Sequence, residues 1–485
     1  MKLGFAASTV SLLLALAACT STVEPPPQPV QEVQEPQRPK EIKVGLLLPL
    51  SGPAAQLGQD MLQASQMALF DVGPSEVVLL PRDTGGTPAG ARQAASELVR
   101  EQVEVIIGPL FSQAVVATTP VAQAAGIPVL AFSNVASVAS GETYLLGFRP
   151  EEQVNRVVRY ALENVERRPE GFERYDSPSQ QIPDFGDPGP VRIAALAPND
   201  PYGTTALQAL RRAVIAGGGE LATTLYYPPD LADPSSVVRE VANFDRRKAA
   251  LEAERARVEA IGDEAAEREI KRLETLDTLG GPPFDAILIA DGGDRLRSVA
   301  ALLTFYDVDP TEVRFLGTMR WQDDPRVLEE AALRRGWFAA LPRSTMDAFR
   351  SRYETAFGTV PHQLAALAYD ATALVVIVAR DLGDRDFNNL TLTNPEGFAG
   401  ATGLFRLRPD GLAEHGLAVL EVDGAATRTI DPAPTSLIDQ VALRQTPGGL
   451  QAPTSGVQPG LSQTSPQVPG QAAPQAIPQT TTVPQ

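Results

Sequence analysis

The sequence predicts an α/β fold built on parallel sheets covered by helices, and three observations carry that prediction. Residues 42–50 form a nearly continuous apolar run, Ile-Lys-Val-Gly-Leu-Leu-Leu-Pro-Leu, the pattern of a strand buried on both faces. Ser51-Gly52-Pro53 breaks the run. The apolar period then becomes helical, with Leu57, Met61, Ala64 and Ala68 on one face and Leu62 and Leu69 beside them. Strand and helix patterns go on alternating down the chain, which gives right-handed crossovers and parallel pairing. In such sheets the loops after the strands open onto helix N-termini, where backbone N–H groups and the helix dipole gather. Ser51, in the first of these loops, is a candidate ligand-binding residue.

Taken in order, residues 77–80 read as a strand and 87–100 as a helix. Residues 103–107 are a strand ending in Gly108-Pro109, 113–125 a helix and 127–131 a further strand. The rhythm stops at Phe148-Arg149-Pro150, a place for the chain to cross between two lobes. A helix at 153–164 leads into a polar loop, 167–190, full of Pro, Gly and Asp, which reads as a surface feature. The second alternation follows: a strand at 191–197, a helix at 204–216 closed by Gly217-Gly218-Gly219, a strand at 221–227 and a helix from 235.

Residues 245–277 differ in being dense in charge, with Glu252/Arg255, Glu267/Lys271 and Glu269/Arg272 at helical spacing. They predict solvated helix folded back around Gly262, either a plain excursion or a docking arm for another protein. The sheet resumes at 284–290 and ends in Asp291-Gly292-Gly293-Asp294, with a helix to Phe305. A strand at 313–316, the loop Gly317-Thr318-Met319-Arg320-Trp321, a helix near 325–334 and a strand at 337–341 complete this half. Helices at 344–357 and 363–382 follow, and 398–407 with 418–422 reads as a closing hairpin around Pro409-Asp410-Gly411. No charged residue follows Arg444, and the Pro-, Gln- and Thr-rich tail, 431–485, cannot bury a core.

Composition narrows the function classes. At 485 residues, two domains with ragged ends are expected. With 41 basic against 59 acidic residues, a phosphate-tracking nucleic-acid partner is excluded. One cysteine, Cys19, and two histidines, His362 and His415, leave no internal disulfide and no Cys/His metal cluster, so neither metal nor cofactor is expected. Asp323-Asp324 is a paired acid and Ser112 a hydroxyl, but there is no nucleophile elbow or phosphate loop, and His362 after Pro361 reads as a capping residue. Binding, not catalysis, is the expectation.

The N-terminus, Lys2 followed by an apolar stretch from Phe5 to Ala17, reads as a signal peptide over 1–18, too short for a mature span of ~30 Å. Its end, Leu16-Ala17-Ala18-Cys19, resembles the lipobox of bacterial lipoproteins. That resemblance implies acylation of Cys19, a lipid anchor in a membrane, and through Thr20 the outer membrane over the inner. Residues 19–40 would then be a Pro-rich tether.

Several motifs in order resemble the type I periplasmic-binding fold of leucine/isoleucine/valine receptors. They are the run from Val44 to Gly52, Ile106-Ile107-Gly108-Pro109 with Ser112, Gly126-Ile127-Pro128-Val129, Asn199-Asp200-Pro201-Tyr202-Gly203, Tyr369-Asp370-Ala371, and Gly400-Ala401-Thr402-Gly403 with Asp410-Gly411. The resemblance implies two Rossmann-like lobes: 41–149 with 343–397, and 150–342 with 398–430, the second carrying the insertion at 245–280. It implies hinges near 148–150, 342–344 and 398. In the cleft, Ser112, Ser133 and Asn134 match the lobe-one contacts to a ligand carboxylate, and Tyr202 matches the tyrosine that covers the ligand. Met319, followed by Arg320, stands where the receptors carry their ammonium-binding glutamate. Asp291, Asp294 and Asp323 are nearby acids outside that register, so the cleft is either empty or adapted to an anion.

A narrower resemblance covers the lipobox, the tether, the fold and the charged insertion: the chain is similar to the penicillin-binding protein activator lipoproteins. This implies modulation of a peptidoglycan synthase, with a penicillin-binding protein as partner. The alternative is a solute receptor of an ABC importer for amino acids or a related small anion, with an ABC permease as partner.

Overall fold

The computed structural model describes residues 41–438 apart from 74–75, 167–188, 231–232, 323, 382–386 and 425. The signal peptide, Cys19, the tether, Asp323, nearly all of the 167–190 loop and most of the tail lie outside the described residues.

The first sheet holds β1 (Ile42–Leu48), β2 (Val77–Asp83), β3 (Val105–Ile107), β4 (Val129–Ala131) and β5 (Thr143–Leu145), all parallel in the order β2-β1-β3-β4-β5. Its crossovers carry α1 (Ala55–Asp71), α2 (Pro88–Arg100) and α3 (Ser112–Ala124). β1 is an inner strand, between β2 and β3, and its Val44, Leu46, Leu47 and Leu48 are all fully buried, which needs a helix layer on each side. Gly45 lets Leu98 of α2 lie directly on the strand, since a Cβ there would overlap it.

α4 (Pro150–Asn164) starts where the chain leaves this sheet. The second sheet takes β6 (Arg192–Pro198), β7 (Glu220–Tyr227), β8 (Ala286–Ile289), β9 (Arg314–Gly317) and β10 (Trp337–Ala340), again parallel, with α5 (Pro201–Ala216) after β6. Between β7 and β8 lie α6 (Ser235–Val241), α7 (Phe244–Glu259) and α8 (Glu264–Leu273). Then come α9 (Gly293–Phe305), α10 (Pro325–Leu328), α11 (Arg343–Phe357) and α12 (Ala365–Asp381). The last two return to the first sheet, α12 packing Ala365 and Tyr369 against Ala64 and Ala68 of α1.

α7 and α8 form a helical hairpin with its own small core of Leu251, Val258, Ala266 and Leu273. The pairs Glu254–Arg257 and Glu269–Arg272 line its surface. The expected Glu252/Arg255 pair is corrected: Arg255 turns its guanidinium to the Leu273 and Leu276 carbonyls, which need donors at the end of α8. Buried Arg247 fastens the base of the hairpin to the Gly280 carbonyl and to Asp307, both at 2.9 Å.

The closing hairpin is also corrected. After α13 (Asn389–Leu392), β11 (Phe398–Gly400), β12 (Gly403–Leu407) and β13 (Ala413–His415) make a separate antiparallel sheet. β14 (Ala418–Asp423) does not pair with β12. It joins β10 antiparallel and then β15 (Ala426–Asp431), widening the second sheet to seven strands. The short β13 was hidden by composition: Glu414 is buried only because Arg406 of β12 pairs with it at 2.6 Å.

This small sheet is tied to the crossing segment. Leu145 donates to the Gly411 carbonyl at 2.8 Å, and Arg149 donates to the Ala413 carbonyl at 2.9 Å. Arg149 also pairs with Glu152, whose second oxygen lies 3.2 Å from His415 Nδ1. Phe148 meets the His415 ring edge-on at 5.1 Å. Burial works to raise the Glu152 carboxyl, but its hydrogen bond to His415 and the charge of Arg149 outweigh it and hold the group below the usual carboxylate range.

A carboxylate lowered by folding gives stability that is present above its unfolded value of ~4.3 and lost as pH falls through the folded value. Glu152→Gln strands the buried Arg149, so it should cost about 3 kcal/mol at neutral pH. The gap to the unsubstituted protein should narrow as pH drops below about 4. Urea titrations at neutral and at acid pH check this; an unchanged gap would refute the assignment.

Candidate functional site

The loops that follow the parallel strands of the two sheets face a shared cleft of ≈ 1110 Å³. One wall comes from the first sheet. Ser112 is the first residue of α3, after β3, and Ser133, Asn134 and Val135 follow β4; all four line the cleft. The residue before α3, Phe111, offers no side-chain cap; its carbonyl takes the Ala114 N–H at 2.9 Å, which leaves the N–H groups of Ser112 and Gln113 to face an anion. The Ser133 hydroxyl accepts the Val135 N–H at 3.2 Å, which fixes that loop.

The facing wall comes from the second sheet. Asp200 caps α5 by accepting the Gly203 N–H at 2.7 Å, and the turn brings Tyr202 into the cleft. The Tyr202 hydroxyl donates to Thr318 Oγ1 at 2.8 Å. The loop after β9 makes a single 3₁₀ turn at Met319–Gln322. Trp321 is fully buried beneath it and donates to the Ile289 carbonyl at 3.2 Å. Gly317 is required for this, because a Cβ there would overlap the indole. With Trp321 turned inward, Met319 and Arg320 are turned toward the cleft. Gln153 of α4 accepts the Met319 N–H at 2.9 Å in a buried contact. The Arg320 guanidinium lies 3.7 Å above the Tyr202 ring, a cation–π stack.

Six expected residues thus come together: Ser112, Ser133, Asn134, Tyr202, Met319 and Arg320. Two do not. Ser51 is exposed in the turn after β1, where Asp83 accepts its N–H together with those of Leu50 and Gly85. Burial works against the Asp83 charge, but hydrogen bonds from Ser51, Gly85 and Leu50 hold its carboxyl below the usual range. Asp291 is buried away from the cleft, accepting from Tyr227 at 2.6 Å and from Arg295 at 2.8 Å. Asp294 is spent on Arg297 and Arg326 at the surface.

Sequence reasoning missed Arg343, Asp347 and Arg350, which α11 also presents to the cleft. Their i, i+4, i+7 spacing marked one helix face, but nothing in the pattern said which way that face pointed. His362 lines the rim and accepts the Leu364 N–H at 3.1 Å, ahead of α12. Among the described residues, no group of three or more His, Cys, Asp or Glu could hold a metal ion.

The sequence matches a family model described as periplasmic binding protein over residues 41–427. A Leu/Ile/Val-binding protein homolog of Brucella abortus is 26% identical over 211 residues, 41% of this chain and 49% of that protein. The chain spans about half the length of the curated relatives it matches. Among solved structures, a branched-chain amino acid ABC transporter protein from Rhodospirillum rubrum superposes with a TM-score of 0.60 at 18% identity, covering 80% of this chain and 100% of that one. A solute binding protein from Rhodopseudomonas palustris in complex with 3,4-dihydroxy benzoic acid gives 0.52 at 17% identity, covering 81% and 98%. At these identities the structures speak for the fold alone. No helix among the described residues is long and apolar enough to cross a membrane.

Gln153 ties the crossing helix to the loop that carries Arg320. Gln153→Ala leaves the buried Met319 N–H without its acceptor and should cost about 1–3 kcal/mol. Thermal and urea denaturation measure it; an unchanged midpoint would show that the contact does not hold the loop.

Proposed function

The chain belongs to the periplasmic binding protein family, and on that premise we propose that it is a solute receptor whose two lobes close on a small organic anion and present it to an ABC permease. The family implies a periplasmic location. One observation carries the choice of an anion. The protein has a net charge of −18, yet the charged residues lining its cleft are Arg320, Arg343 and Arg350 against Asp347 alone, among the described residues. Acidic surroundings would repel an anion from most of the surface, so a basic cleft gathers it there. Ser112 and the N-terminus of α3 supply directional donors for its carboxylate.

The cleft volume supports closure. Sites for small ligands measure ~300–1,000 Å³, so a cleft of ≈ 1110 Å³ is wider than a small acid can fill and must narrow around it. Closure then follows from the ligand's contacts with both walls, which exist only in the closed form.

A second reading keeps the fold and changes the role: a lipoprotein, acylated at Cys19 and held at the outer membrane, that modulates a penicillin-binding peptidoglycan synthase. The buried Met319 in place of an acid favours it, as does the α7–α8 hairpin, which has a core of its own and a charged outer surface. Cross-linking in the native envelope separates the two: recovery of a permease supports transport, recovery of a synthase supports modulation.

The receptor reading expects that one member of a panel of organic acids raises the melting temperature by several degrees, since ligand at 100 times its Kd adds about 2.7 kcal/mol to the native state. Solution scattering should show the same ligand reducing the radius of gyration, and Ser112→Ala should weaken binding about tenfold. No stabilisation across amino acids and carboxylates would sink it.

A further inference from the structure

Arg320 is a cation without a counter-ion. Its guanidinium stacks on Tyr202 at 3.7 Å, and no ion pair or hydrogen bond holds it among the described residues. Stacking occupies the flat face of the group and fixes its plane, leaving the in-plane N–H donors to reach for an acceptor two at a time. Asp347, the one acid lining the cleft among the described residues, is already 3.4 Å from Arg350. Across the cleft, Ser112 and the uncapped first turn of α3 form a separate station that also favours negative charge. The same cleft is lined by apolar Leu57, Leu110, Phe132 and Met319 as well as by polar side chains.

We propose that the ligand is a dianion: an organic acid with two carboxylates held apart by an apolar spacer, one on the α3 station and one bidentate on Arg320. This rests on the receptor reading and adds the substrate class. Lobe closure supplies the reason. Closing removes water from Arg320, and a guanidinium desolvated without an anion is costly. A monoacid satisfies only one wall, so closure around it buries Arg320 unpaired or leaves the α3 station empty. A zwitterionic amino acid is worse, because its ammonium group would meet a cation where it needs a carboxylate. A second carboxylate turns the same desolvation into a charge-assisted bidentate contact. The apolar spacer is matched by the apolar part of the cleft lining, Leu57, Leu110, Phe132 and Met319.

Isothermal calorimetry on the full chain tests this with matched probes: glutarate, adipate, suberate and terephthalate against hexanoate, benzoate and leucine. At least one diacid should bind at least tenfold more tightly than its matched monoacid. Arg320→Gln should weaken that diacid by about 10- to 100-fold, a loss at least about fivefold greater than the same variant causes in the matched monoacid. Arg320→Lys, which keeps the charge but loses the fork, should fall between. Unliganded melting curves of both variants should stay within a few degrees of the parent, since among the described residues the Arg320 side chain makes no ion pair or hydrogen bond beside its stack, and this guards against misfolding. Equal affinity for monoacid and diacid, preference for leucine, or an Arg320→Gln variant that binds the diacid unchanged overturns the proposal and leaves the receptor reading standing. Binding of none of the probes overturns both.

Discussion

Strands buried on both faces leave a chain one place to put polar chemistry. Val44 to Leu48 in β1, Val105 to Ile107 in β3 and Ala286 to Ile289 in β8 are each enclosed above and below by helices. Parallel pairing then sets every following loop at the same edge of its sheet. Ser112, Ser133, Tyr202 and Arg320 all sit just past such strand ends. The cleft is a consequence of that geometry, occurring where the two edges meet. Its exposed polar groups are the ones the packed interior could not accept.

The connections between the lobes face the opposite problem. They must cross through a region where Arg149, Glu152, Arg406, Glu414 and His415 are all nearly enclosed. A charge in such a place survives only with a partner. Pairing Arg149 with Glu152, and Arg406 with Glu414, meets this condition and joins α4, β12 and β13 into one support. Gln153, the next residue on α4, reaches from that support to the Met319 backbone. That hydrogen bond ties the loop bearing Arg320 to the segment where the chain crosses between the sheets. The linkage is short and consists of hydrogen bonds that can be removed one at a time.

The cleft-side loop shows how one residue sets its neighbours. Trp321 needs full burial for its bulk and a carbonyl for its N–H, and finds both beneath the turn. In a single 3₁₀ turn, fixing Trp321 inward directs Arg320 toward Tyr202. Its stack there lowers the freedom of a long side chain and fixes the plane of the guanidinium. The same four residues thus present one face to the core and the other to the cleft.

The sequence by itself determined the alternation of strands and helices and the charged α7–α8 excursion, because period, turn residues and charge spacing are local properties, while Ser112, Ser133 and Asn134 of the cleft were reached through a family resemblance. Tertiary structure decided the rest. β5 and β13 are three residues each, too short for a period, and exist because β4 and β12 offer them edges. β14 left the expected hairpin because β10 presented an open edge at longer range. Asp291 and Arg320 both follow parallel strands, and both were candidates, Asp291 as an acid outside the matching register and Arg320 as the residue after Met319. Tyr227 and Arg295 drew the first inward, while Trp321 displaced the second outward. Arg343 and Arg350 joined the cleft only through the packing of α11. Whether a charged side chain serves the fold or the ligand depends on which partners lie within reach in space, and separation along the chain carries no record of that.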